Sequence, residues 1–342
     1  MKISTQVNYA GDVVAAADQV AQLESAGIDT VWVAEAYSFD AVSLMGYLAA
    51  KTSTVNIGSG ILNIYSRTPS CLGQTAAGLD AVSNGRAILG LGASGPQVVE
   101  GFHGIPYDKP LARTREIIEI CRMMWRREPV EHKGIYNLPL PEGQGTGLGK
   151  ALKLINHPVR SHIPIYVAAI GEKNVTMTAE IADGWLPIFF MPDKAHLVWG
   201  DALKAGKAKR DPSLPELDVV AGGMLAIGDG VEGLRDFMRP ALALYIGGMG
   251  ARGKNFYNEL ACRYGFEKEA KEIQDLYLDG KKQEAAAAVP AEMLESMTLV
   301  GPEGYIKEKI AAFKEAGVTN LQVTAGGPNA ITDLEKLKAW AD

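Results

Sequence analysis

Residues 55–101 constrain the fold of this chain more than any other stretch. Two short apolar runs, residues 55–62 and 86–92, enclose a helix-like segment at 69–83, and both runs end in glycine-rich turns. This order predicts a strand, a helix and a second strand. Strands joined by such a crossover are parallel, and glycines at their carboxyl ends let a ligand approach the backbone closely. We therefore expect a parallel sheet with the binding site at the ends of these strands.

The same alternation continues along the whole chain. The predicted strands cover residues 2–7, 30–34, 55–62, 86–92, 163–168, 184–188, 217–227 and 320–324. Eight strands that alternate with helices over 342 residues favour a closed (β/α)8 TIM barrel of the α/β class. A doubly wound open sheet is the rival, but it would carry a G-x-G-x-x-G turn after the first strand. Residues 7–11 do not supply that turn.

Two segments interrupt the alternation. Residues 129–158 are rich in Gly, Pro and Leu, which predicts an inserted hairpin or mobile loop over the mouth of the barrel that orders when a ligand binds. Residues 255–288 are charged and read as continuously helical, and a further helix is predicted at 230–245. We expect a single barrel domain over residues 1–342, with insertions near 129–158 and 250–298.

Composition and charge exclude several classes of function. The net charge is −6 without a basic stripe, so nucleic acid is not an expected partner. Cys71, Cys121 and Cys262 fit neither a zinc pattern nor a disulfide framework and favour a reducing cytoplasm. No apolar run approaches the roughly 18 residues of a membrane span, and the start does not resemble a signal peptide. The histidines do not cluster as metal ligands, and Ser94 is not in a G-x-S-x-G elbow.

Two turns at predicted strand ends are candidate ligand sites. The sequence GLGASGP, residues 90–96, is either a ligand contact or a tight turn. The sequence AAIGEKN, residues 168–174, ends a strand and opens a helix. Its free amides, the helix dipole and the ammonium of Lys173 could hold a phosphate, although an ordinary helix start reads the same way.

Four charged or titratable residues are candidates for the chemistry. Glu35 and Glu100 are carboxylates at the predicted catalytic face, where either could orient a substrate or transfer a proton, or remain a solvated loop side chain. His103 is a possible proton donor or a structural histidine. Arg67 follows a strand end and could pair with an anion or with a Glu or Asp.

The motifs DTVWVAEAY, IGSGILNIYSRTP, SNGRAILGLGASGPQVVEGFHGIPY and VAAIGEKNVTMTAEIADGW resemble a known family. The chain is similar to the bacterial-luciferase-like flavin and deazaflavin oxidoreductases, in the branch that uses coenzyme F420. The resemblance extends from Lys2 to the closing GPEGYIKEKIAAFKEAGVTNLQV. It implies a (β/α)8 barrel with an insertion, the 5-deazaflavin at the carboxyl ends of the strands, a small-molecule substrate and a homodimer.

The resemblance also implies a set of cofactor-binding residues. Gly60 and Ile61 match the position of a non-prolyl cis peptide that bulges behind the deazaflavin ring. Asn63 matches a contact to the ring's polar edge. The phosphate-binding turn falls at Gly171, Glu172, Lys173 and Asn174. The glycine-rich turns add Gly92, Ser94 and Ala169.

Two departures from the family pattern affect the expected reaction. The sugar-phosphate and alcohol dehydrogenases of the family carry Asp-His after the second strand, where this chain has Glu35 and Ala36. Their catalytic glutamate corresponds to Pro96. The methylene-tetrahydromethanopterin reductases are therefore the nearer comparison. We expect an oxidoreductase that moves a hydride between C5 of the reduced deazaflavin and a small organic substrate. An FMN-dependent monooxygenase and a non-catalytic deazaflavin-binding protein remain open alternatives.

Overall fold

The computed structural model describes residues 1–8, 11–325 and 329–341. Its strands are β1 Lys2–Gln6, β2 Thr30–Val33, β3 Asn56–Ser59, β4 Leu62–Asn63, β5 Ala87–Gly92, β6 Ile165–Ala168, β7 Gly184–Leu186, β8 Asp218–Ala221, β9 Met224–Ile227, β10 Leu299–Gly301, β11 Asn320–Gln322 and β12 Thr324–Ala325. Its helices are α1 Val13–Ser25, α2 Ala41–Lys51, α3 Pro69–Val82, α4 Pro96–Gly101, α5 Pro110–Trp125, α6 Glu172–Ile181, α7 Ala195–Lys207, α8 Arg239–Ala243, α9 Phe256–Arg263, α10 Glu267–Leu278, α11 Lys282–Ala287, α12 Ala291–Met297, α13 Glu303–Glu315 and α14 Ala330–Ala341.

The main sheet closes into a parallel barrel. Its strands are joined in the order β3, β2, β1, β11, β8, β7, β6, β5, and pairing of β3 with β5 completes the circle. The short strand β4 continues β3 after a break and pairs with β5. The predicted eight-stranded barrel is therefore confirmed, and the open-sheet alternative is wrong.

Large side chains fill the barrel interior. Trp32 and Tyr166, with ring centroids 5.3 Å apart, lie with two aliphatic residues in a separate buried cluster. Gly58 and Gly184 make room for these rings, because a Cβ atom there would lie 2.4 Å from the Trp32 ring and 2.3 Å from the Tyr166 ring. Such pairing of large and small residues makes the interior a packed core rather than a pore. A ligand must therefore bind at one end of the barrel.

The helices around the barrel begin at fixed points. Side chains of Asp12, Asp40 and Thr68 accept hydrogen bonds from first-turn amides of α1, α2 and α3. Such caps are typically worth about 1 kcal/mol each and define where a helix starts. Because α2 and α3 follow β2 and β4, the caps at Asp40 and Thr68 also fix the loops at the carboxyl ends of those two strands.

The prediction of one strand at residues 217–227 was wrong. The chain forms β8 in the barrel, breaks at Gly222 and Gly223, and continues as β9 in a second parallel sheet with β10 and β12. Gly222 has φ +152°, a conformation that favours glycine. Strand β10 and helix α12 were not predicted, because elements this short carry little periodicity.

The helical insertion is also more broken than predicted. Residues 230–245 form a 3₁₀ helix at Glu232–Met238, then α8, and a π-helical turn at Leu244–Gly248 rather than one α-helix. Residues 255–288 form three helices, separated at Gly265 and Gly280, which have φ values of +90° and +81°. Positive φ ends a helix, and glycine adopts it at no steric cost.

Residues 129–158 lie along α5. His132 and Leu138 pair in antiparallel fashion, which corresponds to the hairpin alternative. The Glu116 carboxylate on α5 accepts the amides of Ile135 and Tyr136 at 3.0 and 2.9 Å. The proposed closing of this segment over the barrel mouth stays a prediction, as does the division of the chain into one domain with two insertions.

Candidate functional site

The carboxyl ends of the parallel strands form one rim of the barrel, the position at which TIM barrels carry their sites. The predicted residues Glu35, Gly60, Ile61, Asn63, Gly92, Ser94, Ala169 and Gly171 all lie at or just after the ends of β2, β3, β4, β5 and β6. The barrel therefore brings candidates from distant parts of the sequence to a common rim.

The bulge between β3 and β4 adjoins the glycine-rich turn of β5. The peptide bond between Gly60 and Ile61 is cis, as the resemblance predicted. The Ile61 side chain fills the space beside Gly92, where a Cβ atom would lie 2.8 Å from it. Asn63 stands opposite Gly92 in the β4–β5 register. These four residues thus form one continuous patch of the rim.

Asn63 carries a donor that is unpaired within the described part of the chain. Its side chain is buried, with 3% of the residue exposed, and its Oδ1 accepts the amide of Tyr65 at 2.9 Å. Its Nδ2 has no hydrogen-bond partner among the described residues. Leaving a buried donor unpaired costs about 1–3 kcal/mol, and such groups in native structures call for an explanation. A polar atom of a bound ligand would supply one.

The start of α6 presents free backbone donors. Gly171 is the N-cap residue and no side chain caps the helix. Lys173 is exposed, and the acidic Glu172 is paired with Arg263 at 3.0 Å. Oδ1 of Asn174 is buried and has no partner in the described part of the chain. Uncapped amides, the helix dipole and a nearby ammonium make this helix end suitable for an anion.

Two buried tryptophans hold the turn before α6. Trp185 Nε1 donates to the carbonyl of Ala169 at 2.9 Å, and Trp199 Nε1 donates to Ile170 at 2.8 Å. The two indole rings meet edge to face, with centroids 5.1 Å apart. Sequence reasoning missed this support, which keeps the turn in place without a ligand.

Glu35 is engaged in a two-armed ion pair. Arg67 donates to its two carboxylate oxygens at 2.5 and 2.8 Å, and Oε2 also accepts the amide of Ala41 at the start of α2. Both side chains are largely buried, and the hydrogen bonds to Glu35 raise the pKa of Arg67. Arg67 therefore pairs with an acidic residue, which was one of its two predicted roles. This geometry favours a positioning role for Glu35 over proton transfer.

Glu100 and His103 lie on and after the short helix α4. Glu100 is exposed, and its Oε1 accepts the amide of Tyr107 at 3.1 Å. The ring of His103 packs edge-on against Phe102, with centroids 5.2 Å apart. The Glu100 carboxylate therefore holds a loop, and its role in proton transfer stays a prediction.

Five aromatic residues that were not predicted stand near the rim, and we refer to them as the aromatic group. They come from different loops and from the helical insertion: Tyr65, Tyr107, Phe189, Tyr245 and Tyr257. Tyr65 and Tyr107 lie 5.4 Å apart, and Phe189 lies 5.5 and 6.0 Å from Tyr245 and Tyr257. For Tyr65 and Phe189 the signal in the sequence is an aromatic shortly after a strand end, as in NIYS and IFF, whereas the other three follow no strand.

Two of the five non-glycine residues with positive φ in the described part of the chain lie at this rim. Ser94 and Phe189 have φ values of +57° and +51°, a region that non-glycine residues seldom occupy. Both follow the ends of barrel strands, β5 and β7. Strained backbone of this kind clusters at binding and active sites, which agrees with a site here.

The described residues show no sign of a metal or membrane site. Within 1–8, 11–325 and 329–341, no group of three or more His, Cys, Asp or Glu side chains could hold a metal ion. No helix in the same residues is long and apolar enough to cross a membrane.

Comparison with known proteins places these observations in context. Residues 1–320 match the family model described as luciferase-like monooxygenase. A Mycobacterium tuberculosis protein, whose name assigns it provisionally to the coenzyme F420-dependent oxidoreductases, is 41% identical over 98% of this chain and 99% of its own. The 5,10-methylenetetrahydromethanopterin reductase of Archaeoglobus fulgidus is 29% identical over 89% of this chain and 87% of its own.

A solved structure gives the same picture of the fold. The coenzyme F420-dependent tetrahydromethanopterin reductase of Methanopyrus kandleri superposes with a TM-score of 0.81 at 23% identity, and the match covers 98% of this chain and 96% of that one. The predicted resemblance is confirmed by these matches, including its nearness to the reductases.

Proposed function

The chain belongs to the luciferase-like family and is an oxidoreductase, and we propose that it transfers a hydride between coenzyme F420 and a small organic substrate. The observation that carries the proposal is the set of unused polar groups at the rim. Nδ2 of Asn63 is a donor without a partner among the described residues, and the amides at the start of α6 have no side-chain cap there. Oδ1 of Asn174 is an acceptor and therefore does not itself point to an anion. A deazaflavin with a phosphate-bearing side chain offers both a polar ring edge and an anion.

The residues present suit that cofactor. Gly60, Ile61 and Gly92 would support the ring, and Asn63 Nδ2 would donate to its polar edge. Residues 171–174 would hold the phosphate, with Lys173 supplying a positive charge. When bound, the deazaflavin supplies the hydride chemistry, whereas the protein supplies orientation and a site shielded from water. The Glu35–Arg67 pair fixes the loop after β2 beside this site.

Turnover separates this proposal from its two alternatives. We expect reduced F420 to be oxidised when an acceptor from a panel of carbonyl compounds is added, measured by the recovery of F420 absorbance. Oxygen consumption with reduced FMN would favour the luciferase-like monooxygenase alternative. Tight F420 binding without turnover of any acceptor would favour the non-catalytic deazaflavin-binding protein.

We also propose a homodimer located in the cytoplasm. The three cysteines of the chain are free thiols, which agrees with a reducing compartment.

The surface beside α1 and α2 is the candidate dimer interface. A cavity of about 440 Å³ opens between these helices, lined by apolar residues that include Val14, Phe39 and Tyr47. Phe39 is 76% exposed, and exposed apolar surface often marks an interface. Light scattering should give twice the monomer mass, and Phe39→Asp should reduce it.

A further inference from the structure

The loop between α4 and α5 is fixed at three points. The amide of Tyr107 donates to Glu100 Oε1 at 3.1 Å. The carbonyl of Asp108 accepts the Tyr65 hydroxyl at 2.8 Å, and its carboxylate accepts from Arg113 at 2.6 Å. These contacts come from three separate elements. The backbone of Tyr107 therefore cannot shift without breaking one of them.

The hydroxyl of Tyr107 is held less firmly than its backbone. The ring packs against Tyr65, and the hydroxyl lies 3.5 Å from the carbonyl of Ser94. That distance is at the outer limit of a hydrogen bond, so the hydroxyl can turn to a better acceptor. Burial raises the pKa of Tyr107, so that the phenol stays a neutral donor at neutral pH. Ser94 follows β5, so the hydroxyl points along the rim beside the predicted cofactor contacts.

The surroundings limit what a ligand there can be. Tyr107 belongs to the aromatic group, and the guanidinium of Arg113, which lies 5.4 Å from the Tyr65 ring centroid, has its charge paired with the Asp108 carboxylate at 2.6 Å. Flat aromatic walls favour planar or apolar compounds, and a polar atom of such a compound would need a donor among these walls. The Tyr107 hydroxyl is a donor of this kind, because its present acceptor is a distant one.

We propose that the Tyr107 hydroxyl donates a hydrogen bond to the carbonyl oxygen of an uncharged, planar substrate, and that Glu100 is the residue that positions Tyr107. The inference rests on the proposed function, because it assigns the substrate side of the same site. Glu100 then acts through the Tyr107 backbone rather than by moving a proton.

The first test compares two ligands of similar shape. Binding of 2-cyclohexen-1-one and of 1-methylcyclohexene, which lacks the carbonyl, is followed by NMR with and without oxidised F420. Tyr107→Phe should weaken binding of the enone about 2- to 13-fold, the loss of one hydrogen bond, and leave binding of the hydrocarbon unchanged. Tyr305→Phe is the matched control, since its hydroxyl bonds to Glu295 beside α13.

A second readout observes the hydroxyl directly. In protein labelled with 3-fluorotyrosine, the ¹⁹F resonance of Tyr107 is the one lost in Tyr107→Phe. It should shift with the enone and not with the hydrocarbon. An unmoved resonance, or equal enone affinity in wild type and Tyr107→Phe, would overturn the assignment. So would a wild-type protein that does not distinguish the two ligands.

Glu100 is tested by the contrast between two substitutions. Glu100→Gln keeps an oxygen that can accept a hydrogen bond from the Tyr107 amide, so its enone affinity should equal that of the wild type. Glu100→Ala has no such oxygen and should weaken enone binding to the same extent as Tyr107→Phe. An equal loss of enone affinity in Glu100→Gln and Glu100→Ala would show that the negative charge or the proton of Glu100 is needed, and would reject the positioning role. Glu119→Ala, exposed on α5, is the control. F420 binding is measured separately, so a failure of the cofactor proposal is seen independently of these results.

Discussion

The two ends of the barrel treat their buried polar groups differently. At the amino end, three buried carboxylates are surrounded by donors from the chain. The Asp218 carboxylate accepts hydrogen bonds from Lys2 at 2.9 Å and from the Tyr166 hydroxyl at 2.6 Å. The Asp80 carboxylate accepts hydrogen bonds from Arg160 and from the amide of Ala87. At the carboxyl end, polar atoms of Asn63 and Asn174 lack partners within the described residues.

Asp183 completes the pattern at the amino end. It accepts from His162 at 2.6 Å, from Arg122 at 3.1 Å and from the amide of Ile165 at 2.9 Å. These bonds join strands to the surrounding helices where the strands begin. These three carboxylates therefore stabilise the amino end of the barrel, although Nε of Arg122 and Oδ1 of Asn320 there also lack partners among the described residues. At the carboxyl end, Nδ2 of Asn63 lies among the predicted cofactor contacts and is available to a ligand. Variants at the two ends should separate stability from binding.

The largest effect is expected for Asp80→Ala. Asp80 is fully buried at 0% exposure, and its removal leaves the Ala87 amide without its acceptor and the Arg160 guanidinium without its carboxylate, with only the Ala87 carbonyl at 2.6 Å still bonded to it. Breaking a buried pair in this way costs about 3–5 kcal/mol of unfolding free energy, measured by urea denaturation. F420 affinity of the folded protein should not change. Asp201→Ala, exposed on α7, is the control, and a loss no larger than in this control would contradict the stabilising role.

Asp183→Asn should lower stability by about 1.5–3 kcal/mol at neutral pH, the range for hydrogen bonds to charged groups. Burial raises the pKa of Asp183, but hydrogen bonds from His162 and Ile165 outweigh burial and hold that pKa below its ordinary value. The folded state thus binds the proton more weakly than the unfolded state does. The contribution of this carboxylate is present above about pH 4 and is lost as the pH falls through the folded-state pKa.

The pH dependence distinguishes this charge effect from a simple packing defect. The difference in unfolding free energy between wild type and Asp183→Asn should begin to shrink below about pH 4, where the unfolded chain takes up a proton, and should vanish only once the pH falls below the lowered folded-state pKa. A constant difference between them from pH 7 down to acid unfolding would show that the charge is not what stabilises the amino end.

Lys173→Ala should act in the opposite way, on binding rather than on stability. If the ammonium meets the cofactor phosphate, its loss weakens F420 binding by about 1–3 kcal/mol, or roughly 5- to 150-fold, and the urea midpoint stays where it was. Lys268→Ala on α10 also removes an exposed lysine, away from the rim. Equal dissociation constants for the two variants would place Lys173 outside the site.

A smaller effect is expected for Asn63→Ala. The variant removes the unpaired Nδ2 and should weaken F420 binding by about 0.5–1.5 kcal/mol, the net value of a neutral hydrogen bond. The variant also removes the bond to the Tyr65 amide, which lowers stability, but it relieves the cost of the unpaired Nδ2, so the two effects on the unfolding free energy oppose each other. Unchanged or tighter F420 binding would mean that Asn63 does not contact the cofactor.

The sequence predicted the amino-terminal strands of the barrel better than the later ones. Residues 86–92 gave β5 within one residue, because a continuous apolar run bounded by glycines has few alternatives. The same kind of apolar run at residues 217–227 gave a wrong prediction. The apolar pattern continues through the break at Gly222 and Gly223, so it predicted one strand where two form. Tertiary contacts, not local pattern, decide where that strand changes sheets.

The site was predictable where it depends on strand ends and not where it depends on partners. The positions of Asn63 and Lys173 at the rim follow from the alternation of strands and helices. Glu35 and Arg67, which form an ion pair, are 32 positions apart in the sequence. From the sequence alone, Arg67 could pair either with an anion or with an acidic side chain. The aromatic group is assembled from loops and a helical insertion whose relative positions no local pattern encodes.

The most direct test of the account is a fluorescence titration of the wild-type protein with F420 and, in parallel, with FMN. The unused polar groups at the carboxyl end predict saturable binding of F420, and binding of F420 that is tighter than that of FMN. Tighter binding of FMN, or no binding of F420 by the folded protein, would contradict the assignment of this rim as a deazaflavin site.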